Sequence, residues 1–272
     1  MTTPIKLVWL AAVGAAGVVA VFSGVAIGAA RQEAPGGTAG PPVPRTADGQ
    51  PDFSGLWQAM NTANWNILPH AASADGPGGL GVVVGDELPY LPSALPKKQD
   101  NYRNRMTADT DLKCLLPGVP RVMYQPFPFQ IFQTSTAVRM AFEYGHATRN
   151  IYMNTPHPEG PIEWRMGDSR GRWDGDTLVV DVVHFSGATW FDRAGNHHSP
   201  AMHVVERYTL LDPSHIQYEA TIEDPNVFSR PWTMQMILYR HMESNFRLLE
   251  YECLTFADEA AGNLAPPTQS PR

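Results

Sequence analysis

Histidine and aspartate crowd into one stretch of this sequence. Residues 186–202 hold Trp190, Asp192, His197 and His198, with His184 just before them and His203 just after. An imidazole held by a carboxylate is the usual proton shuttle near neutral pH. His198 and His203 are therefore candidate acid–base groups, with Asp192 or Glu206 as the carboxylate that orients them. A second chemistry is metal binding. His197, His198, His203 and Glu206 have loosely ligand-like spacing. However, His203 and Glu206 are three residues apart, which puts them on opposite faces of a regular strand. In a third reading Asp192, Asn196 and His197 hold the loop through bonds to its backbone, and His203 and Arg207 lie at the surface. The residues alone leave all three readings open.

Two carboxylates stand out by their place in a pattern. Glu206 falls on the apolar face of its strand, so it must be paired or have its pKa raised. Arg139 and Arg240 are its candidate partners. Asp181 sits in Val179-Val180-Asp181-Val182-Val183, which is apolar on both faces, and reads as a structural ion pair. A bound molecule would meet Trp190, His184, His197 and Arg207. Arg230 and Trp232 belong to the same rim, and His157 and Trp164 enter it from 154–163.

Strands must position these groups. From Phe129 onward nine segments read as strands: 129–134, 138–144, 148–153, 164–173, 177–185, 203–211, 215–224, 232–241 and 246–256. The stretch from His215 to Asp224 alternates Ile216, Tyr218, Ala220 and Ile222 with polar residues, the mark of a sheet with one dry face. Asp174-Gly175 predicts a type I′ hairpin turn. Gly167 and Gly171 predict a bend or bulge, as a closing barrel needs. If the strands run up and down in order, 145–147, 174–176, 212–214 and 242–245 form tight turns at one end. The longer connections, 154–163, 186–202 and 225–231, fall at the other with 135–137. That shape is a cup with an elaborated mouth, where binding and chemistry usually sit. Met140 and Phe142 line one strand face, and Trp232, Met234, Met236 and Leu238 another. Such residues are usually core, but a barrel of this size can hold a small apolar ligand.

The rest of the chain frames this body. Residues 1–30 read as a signal peptide or N-terminal membrane anchor, since Lys6 precedes an uncharged apolar run, Leu7 to Ala30. A flexible linker is expected over 31–52, an irregular N-terminal wrap around the outside of the sheet over 53–128, the barrel over 129–257 and a disordered tail over 258–272. A short strand is expected at Asp52 to Trp57 and a helix within 93–108, capped by Ser93. Export favours a disulfide between the two cysteines, Cys114 and Cys253. The net charge of −7, without a basic stripe, argues against a nucleic-acid partner. Glycine-rich phosphate loops, nucleophile elbows and dinucleotide fingerprints are absent, so no cofactor is expected.

Several stretches form a pattern together: Lys113-Cys114, Pro117-Gly118-Val119-Pro120-Arg121, Gly171-Arg172-Trp173-Asp174-Gly175-Asp176-Thr177-Leu178-Val179-Val180-Asp181, Thr189-Trp190-Phe191-Asp192, His203-Val204-Val205-Glu206-Arg207-Tyr208 and Arg230-Pro231-Trp232-Thr233. The pattern resembles a family of exported bacterial proteins that carries no assigned reaction. Gly55-Leu56-Trp57 is similar to the opening Gly-x-Trp of lipocalins, and implies a cup-shaped barrel.

These readings combine into a mainly β protein, a lipocalin-like antiparallel up-and-down β-barrel with an irregular N-terminal wrap. It is expected in the periplasm or outside the cell, touching a membrane only through an uncleaved N-terminal segment. The expected function is binding of an apolar small molecule at the barrel mouth. The alternative is a lyase, isomerase, hydratase or hydrolase using a histidine–carboxylate pair.

Overall fold

The computed structural model of the protein describes residues 41–74, 76–251 and 253. The expectations for 1–30, 31–40 and 258–272 lie outside the described residues. Nine strands close a barrel: β1 (Gly55–Ala59), β2 (Phe129–Gln133), β3 (Ala137–Phe142), β4 (Thr148–Met153), β5 (Asp168–Asp174), β6 (Thr177–Val183), β7 (His203–Asp212), β8 (His215–Glu223) and β9 (Trp232–Arg240). Neighbours follow chain order, and β1 closes the ring between β9 and β2. The strand expected at 246–256 does not form over 246–251, because β1 already occupies the edge of β9 that it would need.

The up-and-down expectation fails at one pair. β4 and β5 are parallel, with Ile151, Tyr152 and Met153 opposite Ser169, Arg170 and Gly171. A parallel pair requires a crossover of about a dozen residues or more. Residues 154–167 supply it by running from one end of the barrel to the other. The connections before it therefore change ends relative to the expectation. Residues 134–136, 175–176 and 213–214 share a turn end, whereas 60–128, 143–147, 184–202 and 224–231 share a loop end. Gly171 marks the close approach of the parallel pair, since a Cβ there would lie 2.6 Å from Met153 Sδ. The 175–176 turn has a positive φ at Gly175 (59°) but not at Asp176. That is the type II′ arrangement, with glycine in the first central position, rather than type I′.

The barrel is filled. Trp57, Phe129, Met140, Val180, Tyr218 and Met234 are among the buried side chains of one continuous core. The Met- and aromatic-rich faces are thus core, not the walls of a hollow. The 53–128 segment also departs from the expected outer wrap, because part of it corks the loop end. The 3₁₀ turn Arg121–Tyr124 is wholly buried there. Met123 enters the core, and its sulfur lies 3.6 Å from the Tyr208 hydroxyl of β7. Arg121 anchors the cork by a bidentate ion pair to Asp109 (2.7 and 2.9 Å) and a bond to Asn64 (2.9 Å). Burial would lower the Arg121 pKa, but Asp111 and Asp109 beside it hold it above its ordinary value.

The expected helix forms as α1 (Leu95–Arg103) and α2 (Arg105–Ala108), with Ala94 rather than Ser93 at the cap position of α1. Cys114 and Cys253 form the expected disulfide. Within the expected linker, Arg45 is pinned to Asp176 on the β5–β6 turn at 2.9 and 2.6 Å.

Candidate functional site

The structure divides the sequence candidates among three places. Glu206 lies inside the barrel. It is bonded to Arg149, which is neither Arg139 nor Arg240. Arg149 reaches across the interior from β4 to β7, placing Nη1 3.0 Å from Glu206 Oε1 and Nε 3.1 Å from Ser169 Oγ. The Tyr208 and Tyr218 hydroxyls donate to the same Glu206 oxygen at 2.9 and 2.8 Å. Burial alone would lower the Arg149 pKa, yet the Glu206 carboxylate holds it above the ordinary value. Burial raises the pKa of both tyrosines. Every strong partner is satisfied and the group is sealed from solvent. This is structural chemistry, in which a charge is made tolerable inside a core.

Asp192, His197, His198, Trp190 and Trp232 are buried at the loop end. Asp192 accepts from the Ile67 N–H (2.9 Å), the Asn196 N–H (3.1 Å) and the Asn196 side-chain amide (2.6 Å). It therefore ties the 184–202 loop to itself and to the N-terminal segment. Burial pushes its pKa up to about 6, with the three donors opposing that rise. His198 lies between Phe185 and Phe191. Its Nδ1 faces the Ser199 carbonyl (3.0 Å), which can only accept, so Nδ1 carries the hydrogen. Nε2 then accepts from the Thr189 hydroxyl at 2.7 Å. Burial pushes the His198 pKa down to about 4, as it does that of His197, which keeps both rings neutral at neutral pH. Trp232 packs edge-on against Phe191 and Phe228. These residues seal the loop end.

His203, His184 and Arg207 lie elsewhere, on the outer wall. The sequence pattern puts His203 and Glu206 on opposite faces of β7, and they are so placed. His203 Nε2 is 2.8 Å from Asp181 Oδ2. The other Asp181 oxygen is 2.8 Å from His157 Nε2, and His157 Nδ1 is 2.7 Å from Asp168. Arg170 closes the chain on Asp168. Asp181 is thus paired as expected, but with two imidazoles. His184 (φ 63°) stands against His157 and Trp164. Arg207 pairs with Asp174 at 3.0 Å, and Arg230 is exposed. Among the described residues no group of three or more His, Cys, Asp or Glu is placed to hold a metal ion.

The outer chain clasps the crossover to the barrel. Burial pushes the Asp168 pKa up, but Arg170 and His157 outweigh it, so the carboxyl ends below its ordinary value. Asp181 is lowered in the same way by His203 and His157. A depressed carboxylate stabilises above its unfolded pKa of about 4 and loses that contribution as the pH falls through the folded value. We expect His157→Ala to speed amide exchange across 154–167 while the β6–β8 amides keep their protection. Equal protection of the crossover in both proteins would remove the clasp.

The cleft lies beside the seal and uses residues that the sequence did not single out. It has a volume of about 370 Å³ and is walled by Trp65, His70, Tyr102, Met106, Leu112 and Arg193. Three segments build it. The 62–79 loop folds back on itself through His70 and Gly79. Gly76 is required there, because a Cβ would lie 2.0 Å from the Trp65 ring. Gly195 (φ 83°) lets the 184–202 loop dock on α1, where a Cβ would lie 2.7 Å from the Lys98 carbonyl. Asn101 of α1 donates to the Gly195 carbonyl at 3.2 Å. The apolar lining stays open to solvent, with Met106 69% and Tyr102 48% exposed. Among these residues only Arg193 lies in the loop that the sequence marked.

No protein-family model matches the chain, and no curated protein or solved structure is significantly similar to it.

Proposed function

We propose that this is an exported, lipocalin-like protein that binds a small apolar molecule, and that the molecule sits in the cleft at the loop end rather than inside the barrel. The lipocalin likeness rests on strands that neighbour in chain order and on Gly55-Leu56-Trp57 in the first of them. Export is supported by the disulfide, which belongs to oxidising compartments. One observation carries the binding reading: Tyr102, Met106 and Leu112 are exposed apolar side chains gathered on one concave surface with Trp65. Its volume of about 370 Å³ lies within the range of about 300–1,000 Å³ usual for small-molecule sites. The acid–base alternative would use His203, which is bonded to Asp181 and 39% exposed at its side chain.

The neutral dye N-phenyl-1-naphthylamine tests the reading by fluorescence titration. We expect one saturable site. Trp65→Ala should weaken binding about 10- to 100-fold, the worth of one large apolar contact. Met106→Glu puts a charge on an exposed position and should weaken it without disturbing the fold. His203→Ala should bind as the wild type does. Binding that survives both cleft substitutions, or that fails in His203→Ala alone, would place the ligand elsewhere.

A further inference from the structure

The charge at the cleft identifies the chemical class of its occupant, given that the cleft is the ligand site. We infer that the ligand is a compact aromatic acid, and that Arg193 receives its anionic group. The Arg193 guanidinium lies over the Trp65 ring at 5.5 Å from the centroid, on the cleft wall. Its Nε is buried and has no hydrogen-bond partner among the protein's atoms. The Asp111 carboxylate is 3.7 Å from Nη2, too far for a hydrogen bond. Asp111 is also engaged already, by Gln125 at 2.9 Å and Arg121 at 3.4 Å. A guanidinium has five donors in a planar fork, which match a carboxylate or sulfonate two at a time. Here a guanidinium whose side chain is 35% exposed, with only a long contact to Asp111, lines an apolar cleft.

The Arg193 main chain is fixed, because its backbone N–H donates to the Asn64 carbonyl at 3.0 Å and its neighbour Asp192 accepts three bonds. The guanidinium itself is placed by its contact with the Trp65 ring. His70 lines the same cleft, with its ring nitrogens 2.8 and 3.1 Å from the Leu68 and Pro77 carbonyls. The indole of Trp65 offers a flat face for a ring. A volume of about 370 Å³ accommodates a one- or two-ring acid.

The experiment displaces N-phenyl-1-naphthylamine with either of two competitors of one shape, 2-naphthoate and 2-naphthamide. Wild-type protein should prefer the carboxylate by at least about 10-fold, and added sodium chloride should shrink that preference. Arg193→Met keeps the apolar stem and removes the fork. It should bring the two competitors within about 3-fold, each compared with the other in the same variant so that any change in dye affinity cancels. Arg193→Lys keeps the charge without the fork and should fall between. Equal displacement by both competitors in the wild type, or a preference that survives Arg193→Met, overturns the inference and leaves the cleft reading intact. Failure of the dye to bind at all overturns both.

Discussion

Glu206→Ala is expected to cost about 3–5 kcal/mol of folding stability, because it strands the Arg149 guanidinium inside the barrel without its counter-charge. The variant also leaves the Tyr208 and Tyr218 hydroxyls without their shared acceptor. A domain of this kind has only about 5–15 kcal/mol in total, so the loss is a large fraction of it. The partner experiment separates a structural ion pair from a catalytic acid. Replacing both members, as Arg149→Met with Glu206→Leu, removes both buried charges together. Apolar replacement of a buried pair is often neutral or stabilising. The double variant should therefore recover most of what Arg149→Met or Glu206→Leu loses alone. Urea unfolding measures these three variants, Glu206→Ala and the wild type. Losses that simply add in the double variant, or a Glu206→Ala protein within about 1 kcal/mol of wild type, would show that Arg149 and Glu206 do not depend on each other.

That ion pair also shows what was legible in the sequence. Glu206 betrayed itself by sitting among Val204, Tyr208 and Leu210 on a dry strand face. The same signal stood on the partner, since Arg149 shares its parity with Ile151 and Met153 in β4. Pairing the two needed only the inward faces of two strands, not the full topology. Strand positions were legible for the same reason: period-two alternation is local, and most of the expected segments form. The direction of one strand was not. Residues 154–163 look like an ordinary loop and 164–167 like the start of the next strand, and nothing local says that the chain changes ends before β5. One such error exchanges the ends of every connection before it. The strand at 55–59 was read as a strand, yet its place between β9 and β2 depends on which segment reaches the open edge, which is a tertiary matter.

The site was partly legible, for a different reason. The 186–202 loop was marked by its histidines, and it does form one wall of the cleft, but through Arg193 and Ala194. The marked residues are the seal behind that wall. Composition drew attention to His and Asp because those types do chemistry. Burial then assigned them to structure, at Asp192, His197 and His198. Trp65, Tyr102, Met106 and Leu112 lie in the aperiodic 53–128 segment, where no pattern distinguishes a wall from a plug. Their grouping arises only when 62–79, α1–α2 and 184–202 pack together.

Asp192 gives this distinction its most direct test. If it served a catalytic histidine, Asp192→Ala would leave folding nearly intact. Its geometry instead requires a loss of about 3 kcal/mol or more. Three buried donors, the N–H groups of Ile67 and Asn196 and the Asn196 amide, would lose their acceptor, and each orphan costs about 1–3 kcal/mol. The gain from removing a poorly solvated carboxylate offsets only part of that. The pH dependence supplies a second, independent measurement. The Asp192 pKa rises on folding, from near 4 to about 6, so the folded state holds the proton more tightly. Its contribution is fully present below pH 4 and is lost as the pH rises through 6. His197 and His198 act in the opposite sense, because their folded values fall to about 4 and their contribution is lost as the pH drops from about 6.5. The wild-type curve alone mixes the two. The difference between wild type and Asp192→Asn cancels the histidines and isolates the carboxylate. That difference should favour the wild type progressively as the pH falls from 7 to 4, read from thermal or urea unfolding at each pH. A difference that is flat across this range would mean that Asp192 keeps an ordinary pKa and is not the buried anchor of the loop.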